Sequence, residues 1–282
     1  MSGITAKTLV QQLKEVLLPK YDPRESENIA RELLLHFAGI DRVQLSLNST
    51  VELNSQLQKS LDEAVERLLN NEPLQHIIGE VEFFGLNFIT DSRALIPRPE
   101  TEELVDWIIK EEDRAELKAV DIGTGTGCIA ICLARFLPKA QITAIDVSEE
   151  ALALAEINAQ KNDCRLTLVN SDILKAPLEG QFDLIVSNPP YIPEQDKAQM
   201  QPNVLDYEPV QALFVPDHDP LLFYRTIGQQ AKQCLKPGGA LYFEIHESYG
   251  GQTVDLLESL GFQVTLRKDM QDKDRMIKAV LI

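Results

Sequence analysis

The segment Asn188-Pro189-Pro190-Tyr191 carries the side chains best suited to chemistry in this sequence. Asn188 offers a carbonyl oxygen that accepts hydrogen bonds, and Tyr191 offers an aromatic face. Pro189 and Pro190 stiffen the loop, and the backbone carbonyl of Pro189 is a second acceptor. These groups form a cradle for a planar –NH₂ group. Such a nitrogen is a poor nucleophile, so holding both of its hydrogens while positive charge develops on it stabilises a transition state.

A glycine-rich loop, Gly123-Thr124-Gly125-Thr126-Gly127, lies between a predicted strand and a predicted helix. Its glycines allow a tight turn and close approach to a ligand. The loop lacks both the GxGxxG spacing of dinucleotide sites and the Lys-Ser/Thr of a P-loop, so it does not specifically indicate a pyrophosphate. Asp146 ends the next strand, about 20 residues on, where an acidic ribose-binding residue belongs. Asp172 and Ile173 follow a third strand, at the position that flanks an adenine ring.

Strands and helices alternate from residue 119 onward, which predicts an α/β fold with a mostly parallel, doubly wound sheet. Such sheets bind ligands at the carboxyl ends of their strands, and the motifs above all follow strands. The predicted strands are Ala119–Ile122, Gln141–Asp146, Leu166–Val169, Phe182–Ser187, Ala240–Ile245, Val264–Leu266 and Ile277–Ile282, and the predicted helices are Glu100–Lys110, Cys128–Phe136, Glu149–Asn162, Leu221–Cys234 and Gln252–Leu260.

Residues 1–75 are predicted to form a separate all-helical domain, because apolar residues recur there at helical spacing. Its predicted helices are Thr8–Leu18, a helix that Asp22-Pro23 opens and Gly39 ends, and Ser55–Leu69. Residues 76–93 are rich in β-formers and predict a hairpin linker, which leaves residues 94–282 for the catalytic domain. The helical domain has no catalytic constellation, so we expect it to recognise the substrate. The alternative is a stabilising appendage.

Composition excludes a disordered chain, a collagen-like repeat and a small disulfide-stabilised protein. The chain has 282 residues, 44% of them hydrophobic and 25% charged, which are values typical of globular proteins. A formal net charge of −17 disfavours a general nucleic-acid binder. The sequence shows neither a membrane-spanning apolar stretch nor a signal segment, so we expect a cytoplasmic protein with no membrane partner. Cys128 and Cys132 share a helix face and are expected to be buried, and no cluster of histidines or cysteines indicates a metal.

The loop and the acidic residue together resemble the Rossmann-like class I S-adenosylmethionine-dependent methyltransferases. The resemblance implies S-adenosyl-L-methionine as cofactor, S-adenosyl-L-homocysteine as product, and an antiparallel last strand. It also implies that the glycine-rich loop, Gly123 to Gly127, backs the methionine portion and that Asp146 holds the ribose. Asp172 and Ile173 complete the cofactor site. The resemblance implies that the catalytic residues are Asn188, Pro189, Pro190 and Tyr191. Asn188 is expected to bind the cofactor as well.

A resemblance to one family rests on the helical N-terminal half, the hairpin linker and five segments, residues 73–79, 83–86, 96–102, 188–191 and 207–213. With these, nearly the whole chain resembles the peptide chain release factor glutamine methyltransferases. The resemblance implies a protein substrate, the glutamine of the GGQ motif in release factors, and a role in translation termination. The rival is an adenine-N6 methyltransferase of DNA or RNA, which shares the cradle but needs base flipping and a basic surface. A non-catalytic cofactor-binding scaffold is a second rival, but it would not need Asn188.

Several positions depart from the family pattern or stay open. Ile173 stands where relatives often have an aromatic residue, so an aliphatic side chain is expected to cover the adenine. The stretch Glu244–Glu247 lacks a glycine that is common at this place in the family. Within it, His246 is expected to be a core or surface histidine. Arg98 and Glu100 fit two roles, ordering the cofactor pocket or capping the start of a helix.

Overall fold

The computed structural model describes residues 3–112 and 116–281. These residues form two compact units. One comprises the chain up to Gly79 together with Pro202–Tyr207, and the other comprises Glu80–Gln201 and the chain from Glu208 onward. Ile282, the last residue of a predicted strand, lies outside the described residues.

The first unit is mainly helical, and the three helices predicted for it are present. Asp22 caps the second of them, because its Oδ1 accepts hydrogen bonds from the N–H groups of Arg24 and Glu25, and Pro23 occupies the first helical position. Side chains such as Leu33 and Leu61 fill the core between the helices. The elements are β1 (Gly3–Thr5), α1 (Ala6–Leu17), α2 (Pro23–Phe37), α3 (Arg42–Ser46), β2 (Thr50–Glu52), α4 (Ser55–Leu69) and α5 (Leu74–Ile78).

The hairpin after the helical segment is shorter than the sequence predicted. Leu74–Ile78 is helical, and Gly79 ends this helix in the left-handed conformation with φ 80°. The hairpin then pairs β3 (Glu80–Phe83) with β4 (Leu86–Ile89). His76–Ile78 looked like strand because its isoleucines are β-formers, but the left-handed glycine lets a helix finish there.

The second unit is an α/β fold built on one seven-stranded sheet. The sheet contains β5 (Lys118–Ile122), β6 (Gln141–Asp146), β7 (Thr167–Asn170), β8 (Phe182–Ser187), β11 (Leu235–Glu244), β12 (Phe262–Lys268) and β13 (Asp274–Leu281). Its order is β12-β13-β11-β8-β5-β6-β7. The last strand, β13, runs antiparallel to both of its neighbours, and the strands from β11 to β7 are parallel. The predicted fold class is confirmed.

Helices cover both faces of this sheet. Along β8 the side chains alternate between two buried clusters, with Leu184 and Val186 in one and Ile185 in the other. The remaining elements of the second unit are α6 (Pro99–Glu111), α7 (Cys128–Phe136), α8 (Glu149–Lys161), β9 (Ile192–Pro193), β10 (Phe214–Val215), α10 (Leu222–Cys234) and α11 (Gly250–Ser259). The helix α9 (Pro202–Tyr207) belongs to the first unit.

The parallel register brings the carboxyl ends of the central strands to one edge of the sheet. Ile122, at the end of β5, pairs with Ser187 at the end of β8, and Phe243 of β11 also pairs with Ser187. Asp146 ends β6 beside Asn170 of β7. The loops that leave these strands therefore start side by side.

Strand β11 begins earlier than the sequence predicted. It starts at Leu235 and shifts register before Ala240, across the segment Lys236-Pro237-Gly238-Gly239. A sequence containing proline and two glycines is typical of a turn, so the prediction began only after it. Among the described residues, no helix is long and apolar enough to cross a membrane.

Candidate functional site

A cavity of about 380 Å³ lies at the carboxyl ends of β5, β6 and β8. Its volume is within the roughly 300–1,000 Å³ typical of small-molecule sites. Gly127 and Tyr191 do not line it, although the sequence placed both in the site. The sequence-predicted residues that do line it are Gly123, Thr124, Gly125, Thr126, Asp146, Asp172, Ile173, Asn188, Pro189 and Pro190.

The glycine-rich loop forms one wall of this cavity. The N–H groups of Gly123 and Thr124 both donate to the carbonyl of Ile145, at 2.8 and 2.9 Å, which holds the loop against β6. Gly123 has φ 74°, and a Cβ added there would meet no atom within 4 Å. Gly127 instead serves packing, because a Cβ there would lie 3.1 Å from Cβ of Ala155 on α8. The loop therefore leaves an open face toward the cavity.

Asp146 links the glycine-rich loop to the start of α8. Its Oδ2 accepts a hydrogen bond from the N–H of Gly125 at 2.9 Å, and its Oδ1 accepts one from the N–H of Ser148 at 2.9 Å. Ser148 caps α8, because its side chain accepts a hydrogen bond from the N–H of Ala151, so Asp146 is not the capping residue of this helix. Burial raises the pKa of Asp146, and these backbone hydrogen bonds oppose the shift. The carboxylate faces the cavity with acceptor capacity left for a ligand.

Two further carboxyl groups lie at this edge of the sheet. Asp121 is fully buried in β5, and burial raises its pKa to about 7, while the hydroxyl of Thr124 donates to its Oδ2 at 2.7 Å. Asp172 pairs with Lys175 at 2.8 Å, which lowers the pKa of Asp172. Ile173 is buried beside it in the cavity wall.

The segment from Asn188 to Pro190 forms the opposite wall. The Nδ2 atom of Asn188 donates to the hydroxyl oxygen of Thr101 at 3.4 Å. Tyr191 turns away from the cavity, and its hydroxyl donates to Oε1 of Glu244 at 3.2 Å. Burial raises the pKa of Tyr191, so its hydroxyl stays protonated. The amide of Asn188 is thus the side chain of this segment that is both polar and in the cavity wall.

Thr101 and Glu244 are site residues that the sequence did not predict. Thr101 lies in the first turn of α6 and its hydroxyl donates to Oε2 of Glu244 at 2.6 Å. A signal for Glu244 was present, because a carboxylate interrupts the apolar run of β11 at the strand's carboxyl end. Thr101 lies in the segment 96–102 that resembles the family, but nothing in the sequence assigned it a role.

Arg98 belongs to the cavity wall, which favours the first of its two possible roles. It precedes α6, but its side chain makes no capping hydrogen bond. Its guanidinium instead binds Glu208, whose other oxygen accepts from the N–H of Ile96 at 3.1 Å. Glu100 lies in the first turn of α6, where the helix dipole stabilises a negatively charged carboxylate.

His246 borders Tyr191 outside the cavity. Its ring lies edge-on to Tyr191 with 5.9 Å between ring centroids, and its Nδ1 accepts from the N–H of Ser248 at 3.1 Å. Burial lowers the pKa of His246. Cys128 and Cys132 are buried, as predicted. Within residues 3–112 and 116–281, no group of three or more His, Cys, Asp or Glu side chains is arranged to hold a metal ion.

Comparison with known proteins adds a family to this geometry. Residues 8–79 match the PrmC N-terminal domain, and residues 101–206 match the methyltransferase small domain. The release factor glutamine methyltransferase of Flavobacterium psychrophilum is 45% identical over 273 residues, which cover 95% of this chain and 96% of that protein. The protein of the same name from Bacteroides thetaiotaomicron is 43% identical over 282 residues, 99% of each chain.

Solved structures share the fold. A methyltransferase from Pyrococcus furiosus has a TM-score of 0.52 and 21% identity, covering 80% of this chain and 98% of that one. The 16S rRNA N2 G1207 methyltransferase of T. thermophilus, solved with AdoMet and guanosine, has a TM-score of 0.51 and 18% identity, covering 72% and 50%. Identities this low support the Rossmann-like fold alone.

Proposed function

Because the chain belongs to the release factor glutamine methyltransferases, we propose that its substrate is the glutamine of the GGQ motif in peptide chain release factors. The enzyme is an S-adenosylmethionine-dependent methyltransferase. In this proposal it methylates the side-chain amide nitrogen of that glutamine in the cytoplasm and supports translation termination. The observation that carries the proposal is the amide of Asn188 in the wall of a cavity that also contains the glycine-rich loop and Asp146.

The residues of the cavity fit the cofactor. Gly123 and Gly125 expose backbone to the cavity, where the methionine portion would lie, and the carboxylate of Asp146 would accept hydrogen bonds from ribose hydroxyls. Asp172 and Ile173 would flank the adenine with one polar and one aliphatic side chain. When bound, S-adenosyl-L-methionine supplies an electrophilic methyl group on a sulfonium centre and leaves as S-adenosyl-L-homocysteine.

The side-chain oxygen of Asn188 would accept a hydrogen bond from one N–H group of the substrate amide. The backbone carbonyl of Pro189 would accept a hydrogen bond from the other N–H group. As the nitrogen gains positive charge in the transition state, both hydrogen bonds strengthen, which lowers the barrier. Pro189 and Pro190 stiffen the backbone, so the two acceptors are held in place before the substrate arrives. The glutamine nitrogen then loses one proton to solvent, because the product is a neutral N-methyl amide.

Tyr191 lies outside the cavity lining, although the sequence analysis counted its aromatic face as part of the cradle. Its hydroxyl is bound to Glu244, and its ring contacts the apolar side of the sheet. We infer that Tyr191 anchors the end of the segment, which leaves the amide-binding role to Asn188 and Pro189.

The rival substrate, an adenine amino group in DNA or RNA, would use the same acceptors. A net charge of −17 opposes the approach of a nucleic-acid backbone, which is itself dense in negative charge. The relatives that match nearly the full chain carry the release factor name. Both observations favour a protein substrate.

Transfer of radiolabelled methyl from S-adenosyl-L-methionine tests the proposal. We expect label in purified release factor, and no label in a release factor whose GGQ glutamine is replaced by alanine. Duplex DNA, single-stranded DNA and total RNA serve as the alternative acceptors. Label in nucleic acid and none in release factor would reject the proposed substrate and select the rival.

A further inference from the structure

Glu244 is a buried carboxylate that holds two hydroxyl groups beside the candidate site. It ends β11 and is 1% exposed. Thr101 donates to its Oε2 at 2.6 Å, and Tyr191 donates to its Oε1 at 3.2 Å. One carboxylate therefore joins the first turn of α6 to the tyrosine that follows the two prolines.

The single hydroxyl hydrogen of Thr101 decides which way the Asn188 amide points. Thr101 donates that hydrogen to Oε2 of Glu244 at 2.6 Å, so the hydroxyl has no second hydrogen to donate. The oxygen of Thr101 can then only accept from Asn188, whose Nδ2 lies 3.4 Å away. An amide that turns its NH₂ group to Thr101 presents its carbonyl oxygen on the other side. The hydrogen bonds from Thr101 to Glu244 and from Asn188 to Thr101 therefore fix the orientation of the Asn188 amide. In that orientation its carbonyl oxygen is free to accept from a substrate –NH₂ group.

We propose that Glu244 is a positioning residue for methyl transfer, which acts through Thr101 to fix the orientation of the Asn188 amide and holds Tyr191 at the other end of the segment. The proposal rests on the proposed function, because it presumes that Asn188 accepts from a substrate –NH₂ group. Glu244 itself stands behind Thr101 and Tyr191 and does not line the cavity, so it is not a catalytic base.

The energetic setting supports a role in addition to folding. Glu244 lies in β11 between the buried apolar residues Phe243 and Ile245, and burial raises the pKa of its carboxyl group. A carboxylate is an expensive choice for such a position unless its hydrogen bonds are needed, because an apolar side chain of similar size avoids the desolvation cost. Its two hydroxyl partners both belong to elements that shape the site.

Substitutions of Thr101 separate orientation from packing. Thr101→Val keeps the branched shape but removes the hydroxyl, so Asn188 loses its acceptor and its amide is free to rotate. We expect single-turnover methyl transfer to saturating release factor to fall roughly tenfold or more, because small errors in placement are costly in rate. Thr101→Ser keeps the hydroxyl and should stay within about threefold of wild type. Affinity for S-adenosyl-L-methionine, measured by calorimetry, should change little in both.

Glu244→Gln tests the carboxylate directly. A glutamine can turn either its carbonyl or its NH₂ group toward Thr101, so the order of hydrogen bonds is no longer unique. We expect kcat to fall several-fold and KM for release factor to stay near wild type. In protein labelled with ¹⁵N-asparagine, the side-chain resonance of Asn188, assigned by its loss in Asn188→Ala, should shift in Thr101→Val and not in Thr101→Ser.

A matched control removes another buried carboxylate charge away from the cavity. Asp183 lies at the start of β8, the strand that leads to Asn188, and pairs with Lys236 at 2.7 Å. Asp183→Asn should lower stability without changing kcat. Equal loss of kcat in Thr101→Val and Thr101→Ser, or wild-type kcat in both Thr101→Val and Glu244→Gln, would overturn the positioning role. Failure of wild-type protein to label release factor would instead reject the proposed function.

Discussion

Arg98 forms an ion pair with Glu208, a carboxylate whose side chain is 1% exposed and which lies 110 positions further along the chain. The second oxygen of Glu208 accepts from the N–H of Ile96 at 3.1 Å. This pair connects the segment before α6 to the segment Pro209–Ala212, and both segments contribute to the cavity wall. The ion pair therefore holds these two segments of the cavity wall together, on a part of the wall that the glycine-rich loop does not form.

Arg98→Ala should destabilise the second unit and weaken cofactor binding. It leaves the buried carboxylate of Glu208 without its cation, and breaking a buried pair in this way costs about 3–5 kcal/mol, with the lower end expected because Arg98 is partly exposed. Urea unfolding measures the loss. Arg225→Ala is the control. Its partner, Asp219, is more exposed than Glu208, so loss of this ion pair should lower the free energy of unfolding by about 1 kcal/mol or less. Similar losses in the two variants would contradict a special role for Glu208.

Asp146→Ala should weaken the binding of S-adenosyl-L-methionine. In the proposed site the ribose would lose charge-assisted hydrogen bonds worth about 1.5–3 kcal/mol each, and Gly125 would lose its own acceptor. Asp146→Asn keeps one oxygen acceptor and should bind with intermediate affinity. Isothermal titration gives both dissociation constants, and unchanged affinity in the alanine variant would remove Asp146 from the cofactor site.

Asn188→Ala should cut methyl transfer roughly a hundredfold or more, by analogy with removing one oxyanion-hole donor, and should leave most of the cofactor affinity. Asn188→Asp keeps an acceptor and adds a negative charge, so it should retain more activity than alanine if acceptance is what matters. Single-turnover assays distinguish the two. Activity near wild type in both variants would show that the amide does not serve as an acceptor for the substrate nitrogen.

The sequence predicted those parts of the site that are local in the chain. The glycine-rich loop, Asp146 and Asn188 each follow a strand, and the strands were recognisable from apolar runs bounded by glycine, proline or polar residues. Once the sheet was assigned as parallel, the ends of its strands had to share an edge. The fold class and the positions of these residues in the cavity wall followed from that rule.

The contacts that complete the site join distant residues and have no local pattern. Thr101 and Glu244 are 143 positions apart, and Ile96 and Glu208 are 112 apart. A threonine in the first turn of a helix is common, so nothing in its neighbourhood pointed to a buried carboxylate. The same limit applied to Pro202–Tyr207, which forms α9 and belongs to the helical unit. In that unit the hydroxyl of Tyr207 donates to the carbonyl of Asn70 at 3.0 Å.

Asp121 should make the protein less stable as pH rises from about 4 to 7. Burial raises its pKa from an ordinary 3.8 to about 7, so the folded protein keeps a proton that the unfolded chain loses near pH 4. In that window the folded state binds more protons, and the free energy of unfolding falls by at most about 1.4 kcal/mol per pH unit. Below pH 4 both states are protonated, and above 7 neither is, so the effect is confined to the window.

Asp121→Asn tests this linkage, because it removes the titrating group and keeps an oxygen for the hydroxyl of Thr124. Urea unfolding at several values between pH 4 and 8, without cofactor, should show a flatter pH dependence than wild type. Asp62→Asn, a change of an exposed carboxylate on α4, should follow the wild-type profile. A variant profile parallel to that of wild type would mean that Asp121 does not titrate in this range.

The helical unit is proposed to recognise the body of the release factor, because a single amide pocket supplies only a few kcal/mol of discrimination. The unit exposes two apolar side chains one helical turn apart, Val43 at 64% and Leu47 at 75%. We expect Val43→Glu and Leu47→Glu to lower kcat/KM several-fold on whole release factor, because in this proposal contacts with the helical unit would help to position the glutamine. Activity on a short peptide containing GGQ should not change.

Ile157→Glu provides the control, because Ile157 is an exposed apolar residue of α8 in the other unit. It should leave both activities near wild type. Since all three changes are at the surface, their effects on the free energy of unfolding should stay within about 0.5 kcal/mol. Equal loss on whole release factor and on peptide in the α3 variants would assign the helical unit a stabilising role, because a recognition surface matters only to the substrate large enough to reach it.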